Sequence, residues 1–464
     1  MATVATAERV QKQFVGYLPN DAPPWGAMIG LAFQHVLTMF PATVLVAILT
    51  TFDVGVTLFA SGLATVVALL ISSRLAKSYI PLYYGSSFSY IAPVVAITVT
   101  NIYGIDDPVT RIRVAQGGIM MTGLLNVLVG ILIRYVGKAS LDKVLPPEVT
   151  GSVATVIGIA LASAALNMAG AHWGVAIITM LATILFSVYL RGRGFIGMVP
   201  ILLGAVVGYL ISIPLGLVDF QPVAEASLFR LPPFTLPIFT FGAILAIAPI
   251  AIATIPESTA HLYQISLYVD QLAAELRRPA VKLSRFIGLN LVADGVGDAI
   301  NGLLGGCAGT NYGENNSLMA ITRNYSGPAL ITAGVIAMLL GFVGKLAALV
   351  GTLPLAVTGG LAIYLFGIIG AQGIALQIAQ KVNLFDPRKL AVIATILVIG
   401  IGGAIGYPGG MIPFNLGTVS WQLPSIATAA VVGILLNLIF MFFPARKIDQ
   451  EFEELPIEEL KLEV

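Results

Sequence analysis

From Trp25 to Phe443 the chain is a succession of long apolar runs, separated by short stretches rich in charge, proline or glycine. About 20 apolar residues make a helix long enough to cross the hydrocarbon core of a bilayer. Backbone in lipid must satisfy its own hydrogen bonds, and a helix does so within one segment. Fourteen candidate spans are legible, at about 26–50, 55–73, 79–100, 114–134, 148–169, 173–190, 196–216, 238–270, 282–304, 310–323, 328–350, 354–380, 389–406 and 422–443. The 464 residues are 57% hydrophobic and 10% charged, where a soluble protein is roughly 25% charged. So few charges cannot clothe a soluble body, and the predicted class is an all-α polytopic membrane protein with the lipid bilayer as its first partner.

The same composition narrows the function. A formal net charge of +1 offers nothing to nucleic acid. The lone Cys307 excludes an internal disulfide and any cysteine-based metal site. No P-loop, dinucleotide-binding or zinc spacing is present, and no nucleophile stands with a base. The expectation is therefore a non-enzyme without cofactor or metal. Placing Lys and Arg on alternating sides of the spans leaves only Arg111, Arg113, Arg230 and Lys345 on the minority side, out of 24. By the positive-inside rule both termini are cytoplasmic, in a multi-pass protein of the cell inner (plasma) membrane. Residues 1–24 read as a cytoplasmic segment rather than a secretory signal, and 445–464 as a solvated acidic tail.

An internal repeat is written in the chain. Tyr84-Gly85 in the third run matches Tyr312-Gly313 in the tenth, and Ser89 matches Ser317 at the same offset of 228. Leu145-Pro146-x-x-Val149-Thr150-Gly151 opens the fifth run, and Leu353-Pro354-x-x-Val357-Thr358-Gly359 the twelfth, at an offset of 208. Each match pairs span n with span n+7. Seven is odd, so the two halves enter the membrane in opposite senses, a 7+7 inverted repeat. Such folds bind substrate near the midplane, at interrupted helices in equivalent positions. The third and tenth runs qualify: Tyr83-Tyr84-Gly85-Ser86-Ser87 and the stretch from Gly309 to Asn316 are too polar for lipid-facing helix.

Ionisable residues at membrane depth are the chemical candidates. Glu257 and His261 stand four apart, on one helical face. They read either as a buried pair pinning helices or as two proton-accepting groups beside a ligand. Pro256 is expected to kink this helix and free backbone groups. Glu314 follows Tyr312 and Gly313 directly, where a half-helix would aim free N–H groups at an acceptor. It reads as a recognition carboxylate or as a simple cap. Phe88 is a stacking surface for a flat ligand or a packing residue, and His35 a proton relay or a satisfied structural histidine. Asp294 and Asp298, flanked by Asn290 and Asn301, read first as polar glue between helices.

Thr310-Asn311-Tyr312-Gly313-Glu314-Asn315, followed by Met319-Ala320-Ile321-Thr322-Arg323, resembles the signature of the nucleobase-ascorbate transporters, in the form seen in bacterial uracil permeases. Gln34-His35-Val36-Leu37, Gly85-Ser86-Ser87-Phe88 and Glu257 with His261 also fall where uracil permeases carry similar elements. The resemblance implies fourteen spans in two domains. The core comprises residues 25–134 (spans 1–4) and 237–350 (spans 8–11); the gate comprises 135–236 (spans 5–7) and 351–444 (spans 12–14). It implies short strands and half-helices in spans 3 and 10, a homodimer through the gate domain, and symport of a nucleobase with protons. On this resemblance Glu257 and Glu314 bind the N–H groups of the base, Tyr312 and Gly313 offer backbone contacts, Phe88 lines the pocket and His261 takes part in proton coupling. The chain departs from a typical uracil permease at Pro256 and Ser258, which flank Glu257, and at Asn316.

Uracil is the expected cargo. The other readings are xanthine or uric acid in a wider pocket of the same kind, and an anion carried by the related sulfate/bicarbonate fold. An anion site would favour a cation or bare helix dipoles at the break, whereas here the break carries Glu314 facing Glu257.

Overall fold

The computed structural model describes residues 16–137, 143–190, 193, 196, 197, 199–416 and 419–443. The N-terminal residues 1–15, the acidic tail, and Lys138, Arg191, Arg446, Lys447 and Lys461 of the basic side lie outside the described residues. Among the described residues eight helical stretches are long and apolar enough to cross a membrane, and four shorter apolar helices accompany them. The chain is a polytopic, mostly helical membrane protein.

The helices gather into two bundles. In the first, α1 (Trp25–Thr50) and α2 (Val54–Ala76) lead to a three-residue strand, β1 (Tyr84–Ser86), a 3-10 turn at Phe88–Tyr90, the half-helix α3 (Ile91–Thr98) and α4 (Pro108–Val136). The chain then builds most of a second bundle from α5 (Pro147–Ala160), α6 (Ala162–Ala169), α7 (Trp173–Tyr189) and α8 (Pro200–Ser212). A short surface helix, α9 (Gln221–Glu225), carries it back toward the first. There α10 (Phe241–Ile247), α11 (Ala251–Glu275), α12 (Ile287–Leu304), β2 (Gly309–Asn311), α13 (Gly313–Thr322) and α14 (Gly327–Gly341) follow. After α15 (Gly344–Gly351), α16 (Leu355–Ala379) and α17 (Pro387–Gly406) rejoin the second bundle, completed by a hairpin of β3 (Met411–Leu416) and β4 (Val419–Pro424) and by α18 (Ser425–Phe442).

Packing follows that division. Helix α12 lies on α4 and α2, and α14 on α2 and α1. Helix α16 lies on α5, α6 and α7, and α17 on α5 and α18. The long α11 bridges, touching α12 and α13 on one side and α5 and α18 on the other.

Lipid supplies no hydrophobic drive between helices, so close approach through small residues must hold them. A Cβ on Gly55 would sit 2.5 Å from the Gly341 carbonyl oxygen, and one on Gly341 2.6 Å from that of Gly55; seven residues on, Gly62 and Gly334 meet the same way. The α4–α12 crossing repeats the device with Gly123 against Gly295 and Gly130 against Gly288.

Prolines mark two positions along the segment that ends in α11. The helix runs through Pro256 without interruption, and the irregularity falls earlier, in a 3-10 turn at Ala248–Ile250 around Pro249. Within the helix that follows, Glu257 and His261 stand four apart on one face.

The two ends of α1 mark the two ends of the molecule. At its start, Arg278 after α11 forms an ion pair with Asp21 at 2.7 Å, and Tyr17 pairs with Asn324 after α13. At its far end, Arg230 forms an ion pair with Asp53 at 2.6 Å. A cavity of about 650 Å³ between α11, α5 and α16 opens toward the first end, lined by Thr150, Pro256, Thr259, Tyr263, Asp270 and Gln380. A second, of about 770 Å³, lies at the other end around Thr51, Asp53, Ser227 and Arg230.

Candidate functional site

At the centre of the first bundle two strands of three residues pair antiparallel, Tyr84 with Asn311, Gly85 with Thr310 and Ser86 with Gly309. Non-helical backbone at this depth survives only where protein satisfies it. The partners can be named. Within the ribbon, the Tyr312 N–H donates to the Tyr83 carbonyl (2.9 Å) and the Ser87 N–H to that of Ala308 (2.8 Å). From α2, Ser61 donates its hydroxyl to the Tyr84 carbonyl (2.6 Å), and Thr65 Oγ1 accepts the Tyr84 N–H (3.1 Å). From α12, Asp298 accepts the Gly309 N–H at 2.6 Å. From α11, His261 Nδ1 donates to the Asn311 carbonyl at 2.8 Å, which fixes the proton on that nitrogen.

Each strand hands over to a helix start, β1 through the Phe88–Tyr90 turn into α3 and β2 into α13. The first N–H groups of α13 have no intrahelical acceptor by construction. Gly85 is required there by space: a Cβ on it would run into the Tyr312 ring, which stacks on Tyr83 with centroids 6.5 Å apart.

The predicted residues converge. Glu257 and Glu314 are both half-buried, and the charge of Glu314 acts on Glu257 and on His261. Among the described residues no hydrogen bond or ion pair engages either carboxylate. Glu314 sits in the first turn of α13 without a capping bond, since Tyr312 is the N-cap residue and makes none. His261 turns its Nε2 toward Gly313, where an added Cβ would lie 3.0 Å away. Although Glu257 and His261 share a face, His261 bonds to Asn311 rather than to Glu257.

Phe88 is half-buried and meets Phe366 of α16 edge-on, centroids 6.1 Å apart, so the site borders the second bundle. His35 is buried, and the Asn315 amide donates to both its Nδ1 and its carbonyl, each at 3.1 Å. It thus ties α1 to α13 at the residue directly after Glu314. His172 lies apart, accepting the Val175 N–H as the N-cap of α7.

The α12 polar residues divide. Asn290 accepts from the Tyr84 hydroxyl (3.2 Å) and donates to Ser258 Oγ (2.9 Å), which also accepts from Asn311 Nδ2 (2.8 Å). That is the glue anticipated for this helix, and Asp298 belongs to it through Gly309. Asp294 does not: it is buried and neither carboxylate oxygen has a partner. Sequence reasoning assigned no contact to Ser258, Asn315 or Phe366. Asn315 lies inside the signature and was within reach; Phe366, amid an apolar helix, carried no signal.

Two helical bundles, the first built around a ribbon of broken helices with unpaired carboxylates at the break, define the class of membrane transporters rather than enzymes. The solved structures with this fold include the transmembrane domain of a cyanobacterium bicarbonate transporter, BicA, at TM-score 0.56 and 15% identity, covering 91% of this chain and 100% of that one. They also include murine Solute Carrier 26 family member A9, an anion transporter in the inward-facing state, at TM-score 0.62 and 11% identity, covering 91% and 69%. The particular family follows from sequence: the chain belongs to the permease family of nucleobase-ascorbate transporters, whose family model matches residues 26–408. Relatives include the uracil permeases of Bacillus caldolyticus, 38% identical over 90% of this chain and 93% of that protein, and of Escherichia coli (strain K12), 37% identical over 91% and 93%.

Proposed function

We propose that the chain imports uracil together with protons across the plasma membrane by alternating access. The observation that carries this reading is the meeting of Glu257 and Glu314, unengaged by other side chains, beside the free N–H groups of α13 and the ring of Phe88. Uracil presents N–H donors and carbonyl acceptors around a flat ring. Two carboxylates accept from the former, helix N–H groups donate to the latter, and Phe88 offers a stacking face. The chemistry agrees with the names of the relatives.

Enclosing a neutral base between two ionised carboxylates is costly, and protonating one of them lowers that cost. That cost supports proton coupling in this reading, with Glu257 and His261 as carriers; the Asn315 contact at Nδ1 leaves His35 the smaller part. Tyr312 and Gly313 contribute backbone at the start of α13.

The fourteen-span, 7+7 inverted plan is part of the same proposal, and the glycine contacts support it. Gly55 and Gly62 of α2 correspond to Gly288 and Gly295 of α12 at an offset of 233, and Gly123 and Gly130 of α4 to Gly334 and Gly341 of α14 at 211. Together with the sequence offsets of 228 and 208, these fall steadily along the chain, as two halves differing in loop length should. The packing of α1–α4 with α11–α14, and of α5–α8 with α16–α18, supports a core domain (25–134, 237–350) moving against a gate domain (135–236, 351–444). A homodimer through the gate domain and cytoplasmic termini complete the reading.

The test is uptake of radiolabelled uracil into proteoliposomes under an inward proton gradient, with unlabelled xanthine, thymine, sulfate and bicarbonate as competitors. Accumulation that collapses with a protonophore and yields only to pyrimidines is the expected result. Competition by xanthine would move the cargo to purines within the same site. Uptake of sulfate would overturn the roles of Glu257 and Glu314.

A further inference from the structure

The carboxylates of α12 are not used by the transport site, and their surroundings are unusual. Asp294 and Asp298 are 2% and 1% exposed and stand four apart on one helical face, which brings their Cβ atoms to about 5–6 Å. Asp298 takes the Gly309 N–H at 2.6 Å and the Asn126 amide at 3.5 Å. Neither oxygen of Asp294 has a partner at full hydrogen-bond geometry, and the one hydroxyl beside it is that of Ser258, which already accepts from Asn290 and Asn311. Asn126, buried on α4 and turned toward Asp298, leaves its own Oδ1 unpartnered as well.

Among the described residues no cation faces the pair. The titratable neighbours are Tyr84 of β1, Tyr90 of the 3-10 turn and Glu257 of α11, all neutral or acidic. Helix α4 presents the neutral Asn126, and α2 presents Ala64 near Gly297. Two ionised carboxylates at this spacing, stripped of water and of countercharge, repel strongly in a low-dielectric interior and pay a further desolvation penalty each. A buried polar oxygen without a partner requires an explanation, and here several stand together.

We propose that Asp294 and Asp298 jointly hold one monovalent cation, a proton or Na⁺, in a site of their own on the α12 side of the ribbon, with the Asn126 oxygen turned to the same occupant. In the proton form, one carboxylate takes up H⁺ and becomes a carboxylic acid that donates to the other; in the Na⁺ form, both stay ionised around the ion. The pair then carries a single net negative charge. Because the charge of Asp294 acts on Glu257, loading this site alters how readily Glu257 ionises. The site does not depend on which substrate is carried.

The experiment reads the carboxyl groups directly, without transport. Infrared spectra of the full-length protein in lipid are recorded at neutral pH in choline chloride and in NaCl, in H₂O and D₂O, for wild type and for Asp294→Asn, Asp298→Asn and Glu257→Gln. In choline chloride, wild type should show a deuterium-sensitive carboxylic-acid C=O absorption that survives Glu257→Gln and is lost in each aspartate variant. If Na⁺ is the occupant, NaCl should remove that absorption and raise the thermal transition of wild type. The proposal is overturned if wild type shows no such absorption beyond that lost in Glu257→Gln and neither its spectrum nor its melting responds to Na⁺. That arm needs no aspartate variant to fold. Uracil transport can succeed or fail independently of either result.

Discussion

Among the described residues neither Glu314 nor Glu257 is engaged by protein at the break of the helices, and their substitution should show it. In the proposed site, Glu314→Gln takes away a charge-assisted hydrogen bond to the base worth about 2–3 kcal/mol. Uracil binding should weaken by about 30- to 150-fold, measured by calorimetry on purified protein; unchanged affinity would remove the recognition role. His261→Ala is expected to act differently, because His261 Nδ1 holds the Asn311 carbonyl of β2. It should retain measurable uracil binding while losing uphill accumulation in proteoliposomes, and complete retention of accumulation would exclude it as a carrier. The signature residues around Glu314 were readable because their types are improbable in lipid. That His261 turns to Asn311 instead of Glu257 was not readable, since helical spacing says which residues share a face and nothing about what lies opposite.

Elements are held by glycine contacts and by satisfied backbone. A methyl group on Gly62 would collide with the Gly334 carbonyl and force α2 from α14. Gly62→Ala should therefore cost about 1–3 kcal/mol of stability and lower the thermal transition in detergent. Gly26→Ala, with nothing within 4 Å of the added methyl, should leave the transition unchanged or slightly higher. Equal transitions in the two variants would mean the close approach does not hold the bundle. The β1–β2 ribbon shows a similar division between legible and illegible. Polar, glycine-bearing breaks marked where helix had to stop, and the resemblance implied strands there. The supply of partners from Ser61, Thr65, Asp298 and His261 depends on four separate elements meeting. The hairpin of β3 and β4 had no counterpart in the sequence reading, because its residues sit between two apolar runs without clear alternation.

For the whole molecule, the two cavities offer a test of orientation and state. Thr150 lines the cavity at the start of α1, and Ser227 the one at its far end. With Cys307 replaced by Ser, a membrane-impermeant maleimide applied to the cytoplasmic face of oriented vesicles should label Thr150→Cys but not Ser227→Cys. Label added from the opposite face should give the reverse. The same side labelling both, or the assignments exchanged, would overturn the cytoplasmic placement of the termini. Addition of uracil should change the labelling rate of Thr150→Cys if the gate bundle moves over the site, and leave a control cysteine in the lipid-facing surface unaffected.

The chain's own order of residues determined that this is a polytopic membrane protein of the nucleobase-ascorbate transporter family, and where along it the polar chemistry lies. Those are consequences of one-dimensional facts: lipid tolerates only long apolar helices, so every polar interruption is conspicuous. Tertiary structure alone decided which interruptions are free to act. Among the described residues Glu257 and Glu314 come from α11 and α13 without a protein partner, Asp298 gives one oxygen to the ribbon, and Asp294 is left bare. Whether a buried carboxylate is satisfied depends on donors brought from other helices, a property of distances in space that residue spacing does not contain.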